Sequence, residues 1–217
     1  MIKQTRRDSS GSSVTTRSAP ARGRGATEKD LCRRKVSGMK IHQVYLHLED
    51  YRRFMERLYR RAYERPEARY VLTYTLGATG RRISEVLLLT TDMVDFERGT
   101  ATWRILKKRD PGYYVTLPLS PRLAELLKRY ITFNAVTHRL FPAPRQTAWR
   151  WAKSTMAELG LYGWRPHDLR HAFILEALLN TKSIELVRRW IQHATYKQLL
   201  EYARIVGMEI DKPPTPW

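Results

Sequence analysis

The sequence predicts a mainly helical fold with one small antiparallel β-hairpin, and two observations support this prediction. From residue 41 onward, apolar side chains recur three and four residues apart, which is the spacing of helices with one buried face. The exception is the stretch from Thr100 to Leu119, where β-branched and aromatic residues flank a Pro-Gly turn. Hydrophobic residues make up 42% of the 217 residues, so the chain can bury a substantial core.

Helical spacing predicts a first helix that includes Leu46, Phe54 and Leu58, with Arg side chains on its outer face. A second helix is predicted from Glu67 to Gly77, and Thr79-Gly80 ends it. The remaining predicted elements are a helix at 83–89, strands at 100–106 and 113–119 around a turn at 107–112, a helix that begins at Ser120-Pro121, a loop at 132–145, and helices at 146–159, 167–179, 183–191 and 197–206.

Composition divides the chain into a basic arm at 1–40, a globular domain at 41–210 and a Pro-rich tail at 211–217. The arm contains 11 Lys or Arg against three acidic residues and almost no large apolar side chains. Such a segment cannot offset the entropy cost of folding, so we expect it to be disordered. An inert, solvated tail is the alternative, but the charge favours a sequence-independent grip on the DNA backbone.

The net charge of +19 makes double-stranded DNA the first partner to expect, ahead of an anionic membrane surface. The single Cys32 excludes an intramolecular disulfide and a zinc site built from cysteines. No apolar run reaches membrane-spanning length, and the first residues lack the apolar region of a signal peptide. The sequence therefore predicts no membrane association and a cytoplasmic location.

His167, Arg170 and His171 are the most specific candidate cluster. Their i, i+3 and i+4 spacing would project all three from one helical face, where a phosphate would relieve the repulsion between cationic groups. A zinc site is one alternative, because two His at i and i+4 can bind the metal, although no carboxylate ligand is evident. A buried His beside a structural Arg–Asp pair is another.

Two other segments are basic but less specific. Arg81 and Arg82 follow Gly80 at a helix start, which favours an anion, although surface charges with Glu85 as a local ion-pair partner fit equally well. Lys107 and Lys108 lie in the hairpin turn, where a basic pair is most often simply solvated.

Near the end of the chain, His193 and Tyr202 are nine residues apart, about two and a half turns of helix. On one straight helix they would point to opposite sides, so they can share a site only if the backbone turns between them. A Tyr in this apolar context is otherwise expected to be a core aromatic with its hydroxyl at the rim.

Together these segments resemble one family, the tyrosine recombinases, also called phage integrases. Residues 79–85, T-G-R-R-I-S-E, look like the T-G-x-R-x-S-E box of the family, and residues 167–171, H-D-L-R-H, match its H-x-L-R-H box. Tyr202 follows His193 by nine residues, as the nucleophile of the family does. Order, spacing and residue types agree over roughly residues 44–206.

The resemblance implies a tyrosine-recombinase catalytic domain at 41–210 that cleaves and rejoins DNA at specific sites through a 3′-phosphotyrosyl intermediate. By this resemblance Tyr202 is the nucleophile, and Arg82 and Arg170 bind the phosphate. His167 assists proton transfer, and His193 donates a hydrogen bond to the phosphate. No metal or other cofactor is expected, and recombination would run in a homotetramer on DNA.

By the same resemblance, a hairpin Lys would protonate the leaving oxygen. Lys107 and Lys108 are adjacent, and strand alternation places them on opposite faces without deciding between them. We assign the role to Lys108, with Lys107 as the alternative. Arg81, Lys107 and His171 are then expected to contact DNA, with His171 supporting the site without acting in the reaction. One departure from the family is Gln192, which stands where a Gly usually precedes the His. A strand-resealing enzyme like a type IB topoisomerase and a non-catalytic DNA-binding relative are the alternatives.

Overall fold

The architecture comes from a computed structural model, which describes residues 39–107, 110–192 and 195–208. Over these residues the chain forms helices and one small sheet, so the predicted mainly helical class is confirmed. The predicted tail and nearly all of the predicted arm lie outside the described residues and stay predictions.

The helices of the described residues are α1 (Ile41–Leu46), α2 (Leu48–Glu64), α3 (Ala68–Thr79), α4 (Ile83–Val86), α5 (Pro121–Phe133), α6 (Arg145–Glu158), α7 (Pro166–Thr181), α8 (Ile184–Ile191) and α9 (Tyr196–Ile205). The strands are β1 (Val94–Asp95), β2 (Thr100–Lys107) and β3 (Asp110–Pro118), and a 3₁₀ turn at Thr91–Met93 precedes β1.

Helix α3 is the centre of the core. Every residue from Tyr70 to Gly77 is buried, because α2, α5, α6 and α7 all pack around this helix. A helix that is enclosed on all sides must satisfy its polar side chains internally. The hydroxyls of Thr73 and Thr75 do so by donating to the carbonyl oxygens one turn earlier, at 2.6 and 2.8 Å.

Helix α2 covers one side of α3 with a single apolar face. Leu48, Tyr51, Phe54, Leu58 and Ala62 are buried at three- and four-residue spacings. The Arg side chains of α2 lie on its outer face, as the sequence predicts.

The sheet is antiparallel with the order β1-β2-β3. Ala101, Trp103 and Ile105 alternate along β2 and are buried against the helices. On the opposite face, the hydroxyls of Thr102 and Thr116 lie 2.9 Å apart across the strands. The alternation of β2 therefore decides which face of the hairpin meets the core.

Four local predictions differ from the structure. The first predicted helix is divided at His47, so that Leu46 belongs to α1, whereas Phe54 and Leu58 belong to α2. The helix predicted at 83–89 ends at Val86, since the chain continues into the 3₁₀ turn. Strand β1 was not predicted, because two residues carry no periodic signal. The predicted turn at 107–112 is shorter, because strand pairing continues out to Lys107 and Asp110.

Gly80 ends α3 and sets the direction of the chain into α4. Its φ of +61° lies in the left-handed region, and a Cβ there would come within 2.5 Å of the Phe173 ring on α7. Only glycine satisfies both the backbone angle and the close approach.

Gly80→Ala is therefore expected to lower the free energy of unfolding by about 3–4 kcal/mol, since backbone strain and steric overlap add. Gly99→Ala is the matched control, because Gly99 has φ +62° and no atom lies within 4 Å of the position that its Cβ would occupy. It should lose only about 1–2 kcal/mol from backbone strain. Urea unfolding of both variants measures the difference, and equal losses would contradict the close contact with Phe173.

Candidate functional site

A cleft of about 200 Å³ brings together side chains from four distant parts of the sequence. Arg82 comes from the start of α4, His167, Arg170 and His171 come from α7, and Tyr202 comes from α9. Sequence analysis predicted these five residues, and the structure gathers them. The cleft is completed by residues that were not predicted: Ile41, Ile174, Gln198 and Glu201.

The N-terminal turns of α7 present the predicted face. The rings of His167 and His171 lie edge to face with their centroids 4.7 Å apart, as the i, i+4 spacing requires. Asp168 does not pair with Arg170. Its carboxylate accepts a hydrogen bond of 2.7 Å from the backbone N–H of Arg165, and so it caps the start of the helix.

Arg170 is 5% exposed, and backbone carbonyls hold its guanidinium in place. Nη1 donates to the carbonyl oxygen of Gly80 at 2.5 Å, and Nη2 donates to that of Ile191 at 3.2 Å. Burial, followed by the positive charge of Arg82, lowers the pKa of Arg170 to about 10. The group stays charged at neutral pH, and an anion in the cleft would offset both effects.

Arg82 is more open, with 39% of its side chain exposed. Its Nη1 lies 3.1 Å from a carboxylate oxygen of Glu85, a side chain that is fully buried. The other Glu85 oxygen accepts a hydrogen bond of 3.1 Å from the backbone N–H of Arg82. Glu85 thus caps α4 and orients the guanidinium toward the cleft.

Arg81 has the opposite environment, although it is the neighbouring residue. It is 2% exposed, its Nη2 donates to the carbonyl oxygen of Trp190, and its guanidinium lies over the Trp103 ring at 5.6 Å. The contact with DNA expected for Arg81 does not fit this position, because the side chain does not reach the surface. In this position Arg81 supports α8 instead.

The hydroxyl of Tyr202 shares a hydrogen bond with Nδ1 of His171, and the two rings stack at 5.9 Å. Sequence analysis placed His171 in a supporting role without finding this partner. The spacing within α7 fixes the face on which His171 lies, but the approach of α9 is a tertiary feature.

Burial dominates the ionisation of this pair. It raises the pKa of Tyr202 to about 12, while the charge of Arg170 acts in the opposite direction. Burial, followed by the nearby His167 and Arg170, lowers the pKa of His171 to about 4. The pKa of His167 is also lowered, first by burial and then by Arg170 and Arg82. Both imidazoles are therefore neutral at pH 7.

Three of the predicted site residues cannot be placed. Lys108 and His193 lie outside the described residues, and Lys107 is described only through its backbone, as the last residue of β2. Their roles stay predictions.

Within the described part of the chain, no group of three or more His, Cys, Asp or Glu could hold a metal ion. The zinc alternative for His167 and His171 therefore finds no third ligand there. No helix among the described residues is long and apolar enough to cross a membrane.

The sequence also did not predict two contacts of Gln192, the residue that precedes His193. The Tyr113 hydroxyl donates to the side-chain oxygen of Gln192 at 2.9 Å and to its carbonyl oxygen at 3.3 Å. Gln192 caps the end of α8 with a φ of +58°. The departure from Gly at this position was visible in the sequence, but its hydrogen-bonding partner was not.

Curated relatives are tyrosine recombinases of bacteria and archaea. The XerD recombinase of Neisseria meningitidis serogroup B is 27% identical over 144 residues, which cover 60% of this chain and 48% of that protein. The XerA recombinase of Pyrococcus furiosus is 24% identical over 147 residues, covering 64% and 51%. The chain spans about half the length of these relatives.

Solved structures show the same fold. A crystal structure of XerA recombinase superimposes with a TM-score of 0.58 at 20% identity, covering 69% of this chain and 55% of that one. XerH site-specific recombinase bound to a palindromic difH substrate, in a post-cleavage complex, gives a TM-score of 0.57 at 22% identity, covering 72% and 48%.

The family model of the phage integrases matches residues 45–206, a stretch that contains both sequence boxes, the hairpin, most of the cleft and Tyr202. The chain belongs to the phage integrase family.

Proposed function

We propose that the chain is a site-specific DNA recombinase that cleaves and rejoins strands through a covalent bond between Tyr202 and a 3′ phosphate. The observation that carries this proposal is the cleft in which two guanidiniums, two neutral imidazoles and a buried phenol converge. Family membership supports it, and so does the likeness to XerH, a site-specific recombinase with a bound difH substrate.

The phosphate is bound by Arg82 and Arg170. A scissile phosphodiester carries one negative charge, and the attack adds negative charge to its non-bridging oxygens. Arg170 is already fixed by two carbonyls and Arg82 by Glu85, so little reorganisation is needed as the charge develops. Two guanidiniums supply the positive charge that a divalent metal supplies in other phosphoryl-transfer sites.

The covalent step exchanges one phosphate ester for another. The Tyr202 oxygen forms a bond to phosphorus, the bond from phosphorus to the 5′ oxygen breaks, and the bond energy is retained for rejoining. The phenol loses one proton and the leaving 5′ oxygen gains one, so no proton is consumed overall. A hairpin Lys, Lys108 in our assignment, protonates the 5′ oxygen, and His193 donates a hydrogen bond to the phosphate.

The phenol proton leaves toward the imidazoles. His171 shares a hydrogen bond with the Tyr202 hydroxyl, and the His167 ring lies next to it. In the free protein the raised pKa of Tyr202 and the lowered pKa of His171 both oppose this transfer. The resting pair is therefore neutral. A bound phosphate brings a negative charge close to His171 and raises its basicity.

Double-stranded DNA is the proposed substrate, and a homotetramer on DNA is the proposed assembly. The net charge of +19 supports the first of these. The described domain covers about half of its curated relatives, so a separate partner or domain that grips the other side of the DNA fits the same scheme.

Tyr202→Phe is expected to abolish covalent attachment to DNA while leaving DNA binding within about twofold, because only the nucleophilic oxygen is removed. The test uses a nicked duplex that traps the cleaved product, with EDTA present, and a denaturing gel that reveals the protein–DNA adduct. Tyr196→Phe is the matched control, since Tyr196 lies on the same helix with its side chain about half exposed.

An adduct formed by Tyr202→Phe would contradict the assignment of the nucleophile. Exchange of strands between two duplexes distinguishes a recombinase from a topoisomerase-like enzyme, which would relax supercoiled DNA without a required site. Tight, salt-sensitive binding by the unmodified protein without any adduct would favour a non-catalytic relative.

The neutral state of His171 predicts a pH dependence of stability. Between about pH 6.5 and 4 the unfolded chain takes up a proton that the folded His171 does not. The free energy of unfolding should therefore decrease as the pH falls through this window, by up to about 3 kcal/mol from this residue, with no effect above it.

His171→Gln should reduce this decrease, because the depressed pKa is removed, whereas His42→Gln, at an exposed position, should leave it unchanged. Urea unfolding at pH 7 and pH 4.5 measures both variants. Identical pH dependence in the unmodified protein and in His171→Gln would contradict a neutral, buried His171.

A further inference from the structure

The C-terminus of α8 is held by donors from three different parts of the chain. Such a helix end leaves carbonyl oxygens without intrahelical partners. Here successive carbonyls accept hydrogen bonds from other elements: Trp190 from Arg81, Ile191 from Arg170, and Gln192 from Tyr113. Because each donor belongs to a different element, this short segment ties together the chain before α4, helix α7 and the hairpin.

Gln192 adopts a backbone conformation that normally favours glycine. Its φ and ψ are +58° and −7°, in the left-handed region, where a side chain adds strain. Gly80 takes the same conformation at the end of α3 without that strain. A Gln side chain at the end of α8 can offset this strain through contacts that a Gly would not make.

The Gln192 side chain makes those contacts. Its amide oxygen accepts a hydrogen bond of 2.9 Å from the Tyr113 hydroxyl, and its amide nitrogen donates to the carbonyl oxygen of Arg189. Tyr113 is part of β3 and lies opposite Ile105 of β2, whose side chain is buried in the core. The hydroxyl therefore approaches Gln192 from a strand that is paired with β2.

We propose that Tyr113 and Gln192 form a positioning pair for the strand-cleavage reaction, an inference that rests on the proposed function. The pair connects the hairpin to the last residue of α8, from which the chain continues to His193 and to the helix that carries Tyr202. A glycine at this junction would leave its backbone freer to vary. The hydrogen bonds that Gln192 accepts from the Tyr113 hydroxyl fix the junction relative to the hairpin.

Arg170 gives the pair a direct route to the phosphate site. Nη2 of Arg170 donates to the carbonyl of Ile191, the residue that precedes Gln192. A shift of Gln192 would move this acceptor and with it a guanidinium that lines the cleft. Misplacement of a group that binds the transition state lowers the rate of the chemical step more than it weakens the binding of substrate.

The test is a double-mutant cycle with Tyr113→Phe, Gln192→Gly and the double variant. We expect each single variant to cleave a nicked duplex about tenfold more slowly in single-turnover assays, with the dissociation constant for the duplex changed less than about twofold. The double variant should be no slower than Tyr113→Phe alone, because Tyr113→Phe already removes the hydrogen bond to the Gln192 side chain that Gln192→Gly removes. Independent roles would instead slow it about a hundredfold.

Tyr114→Phe is the matched control, because Tyr114 is the next residue of β3 and its side chain is mostly exposed. It should cleave at the rate of the unmodified protein. A Tyr113→Phe rate within about twofold of the unmodified protein, or a loss of about a hundredfold in the double variant, would overturn the positioning pair.

A second cycle, on the equilibrium constant of urea unfolding, separates positioning from stability. Coupling between the two residues in both unfolding and cleavage supports the proposal, whereas coupling in unfolding alone would overturn it and leave a purely structural contact. If the unmodified protein formed no adduct, the proposed function would fail, and this inference would fail with it. If it formed one and Tyr113→Phe cleaved normally, only the inference would fail.

Discussion

The cleft depends on hydrogen bonds from buried guanidiniums to backbone carbonyls. Arg170 donates to Gly80 and Ile191, and Arg81 donates to Trp190. A carbonyl at the end of a helix carries partial negative charge and has no intrahelical partner, so it can accept a hydrogen bond from a cation without neutralising it. The cations therefore keep their full charge in a site from which much of the water is excluded.

This arrangement explains why the cleft suits a phosphate. The pKa of Arg170 is lowered to about 10, and those of both imidazoles are lowered as well, so the charged forms of these three groups are disfavoured. The carboxylate of Glu85 pairs with the more open Arg82, at 3.1 Å. The deeper side chain, Arg170, is held by backbone carbonyls. An incoming anion therefore gains more electrostatic stabilisation from Arg170 than from Arg82.

The sequence predicted those features of the site that depend on residues close together in the chain, and missed those that depend on residues far apart. Spacing within α7 placed His167 and His171 on one face, because helical geometry is local. The family box assigned the phosphate to Arg82, but local pattern could not predict that its neighbour Arg81 is only 2% exposed, since Trp103 and Trp190 come from distant elements. The His171–Tyr202 contact joins residues 31 apart and depends on how α9 packs.

Gln192 shows how a departure from a family pattern becomes informative once the backbone is known. A lost glycine predicts either a changed turn or strain, and the φ of +58° shows that the glycine-like turn is kept. Strain of this kind persists only where neighbouring contacts hold the backbone, and Tyr113 makes two such contacts. Both contacts run from the hairpin to the end of α8. The strain at Gln192 therefore costs free energy, and the contacts that offset it fix the hairpin relative to the end of α8. These are the two elements on which the family places its Lys and its second His.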